Sequence, residues 1–239
     1  MATVVNKQRA LTQVYTALKS RYGLSTPEVR PVLTQFVYAL CREGATREKA
    51  DRAFRNLHDR FFDWNEVRVS SAREIEEALS DLPDAEQRAQ RILSFLQEVF
   101  ETTFSFDLEV LHKKGLKQAT KQLLRYQAAS DFVVAWVTLY TLGGHSIPLD
   151  APILRVLRRL GLIEADRGDS EALRSSLEHI IPKVRGPLIG ELVSALADEF
   201  CWEDDPNCAA CPLGSSCPTG QEVVRAVVVN SRGSRPKPR

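Results

Sequence analysis

Apolar residues recur at helical spacing along most of the 239-residue chain, and strand-like alternation is nearly absent. Leu11, Val14, Tyr15 and Leu18 share one face of a first helix that stops near Gly23. Pro31 opens a second, with Val32, Leu33, Phe36, Val37 and Leu40 as its apolar stripe. Thr46 is placed to cap a third, with Glu48 in its first turn and Ala50, Ala53, Phe54 and Leu57 facing inward. Ser71 caps a short helix through Leu79. After the turn at 81–84, a longer helix carries Ala89, Ile92, Leu93, Leu96 and Val99 on one side. Leu116 to Leu124 is a short amphipathic segment. Phe132 to Leu142 is apolar almost all round, the mark of a central buried helix, and Gly143-Gly144 ends it. Asp150 to Leu160, Ser170 to Ile180 and Leu188 to Phe200 complete the series. The class expected is all-α.

Composition adds bounds. The chain is 44% hydrophobic and 26% charged, with a formal net charge of +1, so it has no global basic field. Contact with nucleic acid has to come from a local patch. No apolar leader opens the N-terminus and no stretch approaches a membrane span, which makes an intracellular, soluble chain the default. The length allows one large domain or two small ones. The end, from Gln221 to Arg239, reads as a basic, disordered tail with Arg232, Arg235, Lys237 and Arg239.

Four of the five cysteines crowd into a C-x6-C-x2-C-x5-C run, Cys201, Cys208, Cys211 and Cys217. Cys41 stands alone in an apolar run and reads as a buried structural thiol. Without a secretory signal, four close thiols suggest a metal site before disulfides. A [4Fe-4S] cubane takes one cysteine per iron, whereas structural zinc usually takes two C-x2-C knuckles, and only Cys208 and Cys211 form one here. On residue chemistry alone both metals stay open.

This spacing directly after a long helix, with the Cys211-Pro212-Leu213 step, resembles the endonuclease III superfamily of helix-hairpin-helix DNA glycosylases. Pro148-Leu149-Asp150 followed by Ile153-Leu154-Arg155-Val156 resembles the family's segment with a catalytic aspartate at a helix start. Leu33 to Leu57, with its Gly44-Ala45-Thr46 turn, resembles the early helix–turn–helix, and Gln87-Arg88-Ala89 the start of a later helix. The likeness spans residues 10 to 218. It implies two helical domains with a DNA-binding groove between them: residues 27–142, and residues 1–26 with 143–220. It also implies a [4Fe-4S] cluster on the four cysteines, Asp150 as the catalytic carboxylate, and damaged, double-stranded DNA as the partner of a monomer, nucleoid-associated when bound. Alone, Asp150 reads equally as an N-cap.

Departures from the family pattern limit the activity implied. The hairpin signature Leu-Pro-Gly-Val-Gly-Arg-Lys-Thr-Ala falls on Tyr126-Gln127-Ala128-Ala129-Ser130-Asp131-Phe132-Val133-Val134. Both glycines are lost, Asp131 would repel a phosphate, and Phe132 replaces the Schiff-base lysine. The glutamine that plugs the gap left by a flipped base falls on Gly44, and the apolar wedge falls near Asp84. AP-lyase chemistry is therefore not expected; the first reading is a DNA-repair protein of this superfamily that, if it is an enzyme, releases a base monofunctionally with Asp150. A catalytically inactive DNA- or protein-binding descendant is the alternative, with a zinc-bound helical interaction module as the third reading. Candidate DNA contacts are Arg155, Lys183 and Arg185, with further basic residues at Arg158, Arg159, Lys113, Lys114, Lys117 and Lys121. His145 falls near the cleft, where a lone histidine is more often structural.

Overall fold

The computed structural model describes residues 4–163 and 170–223, so most of the basic tail lies outside the described residues. Eleven α-helices and a further helical run at residues 218–223 account for the described fold, with no strand among the described residues, as the hydrophobic periodicity predicts. The eleven are α1 Val4–Tyr22, α2 Val32–Arg42, α3 Arg47–Arg60, α4 Trp64–Val69, α5 Ala72–Ala78, α6 Ala85–Thr103, α7 Leu116–Leu123, α8 Asp131–Tyr140, α9 Ala151–Arg159, α10 Ser170–Ile180 and α11 Gly186–Glu199. Single 3-10 turns at Glu109–Lys113 and Lys183–Arg185 lead into α7 and α11. Among the described residues no helix is long and apolar enough to cross a membrane.

Side chains expected to start helices do so. Thr46 accepts from the Lys49 amide, and Ser71 with Glu74 forms a reciprocal capping box that satisfies two free N–H groups. Helix α4 has no counterpart in the periodicity. It is six residues long, contains two β-branched valines, and starts because Asp63 accepts from the Glu66 amide at 2.8 Å. Asp84 does not cap α6 through its side chain; it enters the helix in the left-handed region, φ 53°.

Two apolar cores form. The first gathers residues of α2 to α8, with α2 and α8 packed together and Phe36 stacked on Phe95 at 3.8 Å between ring centres. The second gathers α1 with α9, α10 and α11, and extends to Leu213 in the cysteine loop. Helix α8 touches α11, and the Tyr140 hydroxyl donates to the Pro187 carbonyl at 2.7 Å. Arg42, at the end of α2, donates from Nε and Nη2 to Glu191 of α11 at 3.2 and 3.0 Å, both side chains being about 1% exposed. A buried ion pair thus joins the two cores.

Candidate functional site

Where the cores meet, the ends of α2, α6 and α9 surround a cleft of about 460 Å3. Asp150 opens α9 from one wall of it. Its Oδ1 accepts from the Ile153 amide at 3.0 Å, the N-cap geometry expected before a proline-containing first turn. Its Oδ2 accepts from the Gly44 amide at 3.1 Å, across the junction between cores. Gly44 has φ +68°, a conformation that costs glycine nothing and strains other residues. The carboxylate is 7% exposed, and burial pushes its pKa above the ordinary aspartate range. The Ile153 amide, the buried Arg42 guanidinium and the Gly44 amide oppose that shift.

Glu43 lies beside Gly44 in the same cleft and was not singled out by the sequence. Its Oε1 accepts from Ser130 Oγ at 2.7 Å and its Oε2 from Arg91 Nη1 at 2.8 Å. Arg88 also lines the cleft, but it is buried and donates to the carbonyls of Pro83, Leu40 and Glu43, so its guanidinium fastens the end of α2. The only sequence signal for Glu43 is an acid at a helix C-terminus, where the macrodipole disfavours negative charge.

The degenerate hairpin forms a turn from residue 124 to Ser130. Ser130 caps α8 by accepting from the Val133 amide, and the Ala128 carbonyl receives two donors from Arg91. Phe132 is 2% exposed and packs on Trp136, so this position belongs to the core. Asp131 pairs with Arg174 at 3.6 Å.

The basic candidates separate. Arg155 Nε donates to the Cys201 carbonyl at 2.9 Å, and Arg159 donates to the Trp202 and Glu203 carbonyls. Both are turned onto the cysteine loop. Arg185 donates to Thr12 Oγ1 and covers the Tyr15 ring, while Lys183 is exposed beside Val184, itself 87% exposed. None of these residues lines the Asp150 cleft. His145 Nε2 lies 3.1 and 2.9 Å from the Glu178 and Ile181 carbonyls, a structural tie to the end of α10.

Cys201, Cys208, Cys211 and Cys217 line one hollow backed by Val156, Leu196 and Phe200. None is in a disulfide. Among the described residues, no group of three or more His, Cys, Asp or Glu side chains is arranged to hold a metal ion. A mononuclear zinc needs four donors converging at about 2.3 Å on one point, whereas a cubane is held from outside, one thiolate per iron. Four cysteines lining one hollow supply the number of donors that either group takes. Arg159 Nη1 approaches Cys201 Sγ at 3.4 Å, a donor of the kind that tunes a coordinated sulfur. The loop is also tight: a Cβ on Gly214 would stand 2.2 Å from the Cys208 carbonyl oxygen. Burial raises the pKa of Cys208, Cys211 and Cys217, with neighbouring cysteines adding to the effect.

The whole arrangement, two helical cores around a carboxylate-bearing cleft, is the fold of endonuclease III. A non-covalent endonuclease III–DNA complex matches it with a TM-score of 0.72 at 16% identity, covering 94% of this chain and all of that one. A thermostable thymine-DNA glycosylase matches with a TM-score of 0.67 at 15% identity, covering 93% and 100%. In sequence, the chain is similar to the DNA glycosylase/AP lyase ROS1 of Arabidopsis thaliana, 26% identical over 195 residues. That match covers 74% of this chain and 14% of ROS1. Protein ROS1C of Oryza sativa subsp. japonica is 28% identical over 172 residues, 65% of this chain and 9% of the relative. The chain therefore spans a small part of these curated relatives. No family model matches it.

Proposed function

We propose that the chain is a DNA-binding protein of the base-excision-repair type, acting as a monofunctional DNA N-glycosylase. The observation that carries this reading is Asp150, buried at a helix start on the wall of a cleft large enough for an extruded base. The partner is double-stranded DNA with a damaged or mispaired base, bound by a monomer inside the cell. The two apolar cores support a division into residues 27–142 and residues 1–26 with 143–220. A low-dielectric carboxylate beside the sugar stabilises the positive charge that develops as the bond from C1′ to the base nitrogen breaks. The bonding pair leaves with the base, water adds its oxygen to C1′, and the proton released neutralises the base.

The four cysteines are assigned a [4Fe-4S] cluster, which orders the loop after α11; Arg155 and Arg159 hold that loop from α9. Lys183 and Arg185, in the turn before α11, are assigned to DNA phosphates, and Arg155 contributes through the loop. Base release from mismatch- and lesion-containing duplexes tests the reading, with Asp150→Asn as the control expected to be inactive. Persistent release by that variant would return Asp150 to a capping role. The alternative, an inactive DNA-binding descendant, draws support from the engagement of both Asp150 oxygens by amides and from the missing hairpin glycines.

A further inference from the structure

The cleft contains a second carboxylate to which base release by Asp150 gives no role. Glu43 sits at the C-terminal end of α2, against the helix macrodipole, so helix formation does not account for an acid there. Its placement is over-determined. Ser130 holds one oxygen and Arg91 the other, and Arg91 is itself fixed by donating Nε and Nη2 to the Ala128 carbonyl at 3.2 and 2.8 Å. The side chain remains 23% exposed and lines the cleft. A carboxylate offers about four lone-pair sites, and these two donors take two of them. Acceptor capacity is thus left over on a side chain that lines the cleft. Asp84 and Asp150 line the same cleft, so its charged groups not committed to carbonyls are mostly acceptors.

We propose that Glu43 selects the base: it accepts a hydrogen bond from an exocyclic amino group, so the cleft takes amino-bearing bases of the cytosine or adenine type over their carbonyl-bearing counterparts. This rests on the glycosylase reading and names its substrate class. A carbonyl oxygen in that place would set acceptor against acceptor and leave both desolvated without a donor. Sites built around such a hydrogen bond reject the analogue lacking the donor far more strongly than shape alone allows. The turn that replaces the glycine hairpin thus acts as the support for Glu43, through Ser130 and Ala128.

Equilibrium binding of the full chain to duplexes with one non-hydrolysable 2′-fluoro nucleotide tests this without leaving-group differences. The matched pairs are mispaired cytosine against uracil and adenine against hypoxanthine. The amino member of each pair is expected to bind roughly tenfold more tightly, the scale of one hydrogen bond to a charged acceptor. Glu43→Gln, which places an amide where only acceptors stood, should bring that ratio close to one. Should that variant fail to fold, Ser130→Ala carries the test, because it frees one side of the carboxylate and should lower the ratio. Equal or inverted binding by the native protein, or an unchanged ratio in a folded variant, overturns the selection while leaving base release standing. If no mispaired duplex binds better than a matched one, the glycosylase reading falls and the selection falls with it.

Discussion

The Asp150 carboxylate accepts from the Gly44 amide at 3.1 Å, which ties the start of α9 in one core to the end of α2 in the other. One side chain therefore caps a helix, bridges two cores and faces the cleft. Cap and bridge need only acceptor oxygens, whereas charge stabilisation needs the carboxylate ionised. Asp150→Asn keeps an oxygen for the cap and removes the charge, so base release should fall by about 100-fold or more. In the native protein, release should decline as pH falls through a carboxyl pKa raised above the ordinary aspartate value. Stability runs the opposite way. A raised folded-state pKa gives a contribution fully present below the unfolded pKa and lost as pH rises through the folded one. The melting temperature of Asp150→Asn relative to native protein should therefore climb from acid to neutral pH, and calorimetry over that range checks it.

The Arg42–Glu191 pair makes a second prediction. Each side chain is about 1% exposed, so removing one partner strands a charge in the interior. Glu191→Ala should cost roughly 3–5 kcal/mol in urea unfolding. Replacing both residues together by apolar side chains of similar volume should cost much less, because the desolvation penalty of both charges disappears with them. Equal losses in the single and double variants would show that the pair itself is net stabilising and that removing its desolvation penalty recovers nothing.

How much of this was legible depends on how far each feature reaches along the chain. Helices with four or more apolar residues in register, such as α2 and α6, announced themselves, and Thr46 and Ser71 marked their own starts. Helix α4 did not, because two valines in six residues leave no readable period. At the site, Asp150 was found because a cap and a family motif coincide. Glu43 was invisible because its meaning lies in partners 48 and 87 residues away, Arg91 and Ser130. Arg155 was singled out because a sequence shows its charge, whereas the Cys201 carbonyl that engages its Nε is a product of folding.

The cysteine loop can be tested through its glycines. Gly214→Ala would drive a Cβ to 2.2 Å from the Cys208 carbonyl, where backbone has no room to yield. The variant should purify with less than the roughly four irons per chain expected of a four-cysteine cubane, and its visible absorption should fall in proportion. Gly190→Ala is the contrast. It lies inside α11 with nothing within 4 Å of the added carbon. It should keep full iron content and gain about 0.5–1 kcal/mol from helix propensity. One zinc per chain in anaerobically purified native protein would overturn the cluster assignment.

The last prediction concerns covalent chemistry. By the resemblance read from the sequence, Phe132 falls where bifunctional endonuclease III-like glycosylases carry the Schiff-base lysine, and it is 2% exposed, 5.6 Å from the Trp136 ring centre. An amine at that position would have to leave the core to reach a sugar. The native protein should therefore form no borohydride-trapped complex with abasic DNA. Phe132→Lys should not restore trapping either, because it removes a packed ring and buries an ammonium, costing more than about 3 kcal/mol of stability. Loss of the ring and failure to trap would appear together in that variant. Robust trapping by the native protein would instead require a nucleophile outside this core position, and Lys121 on α7 is the first residue to replace with alanine to find it.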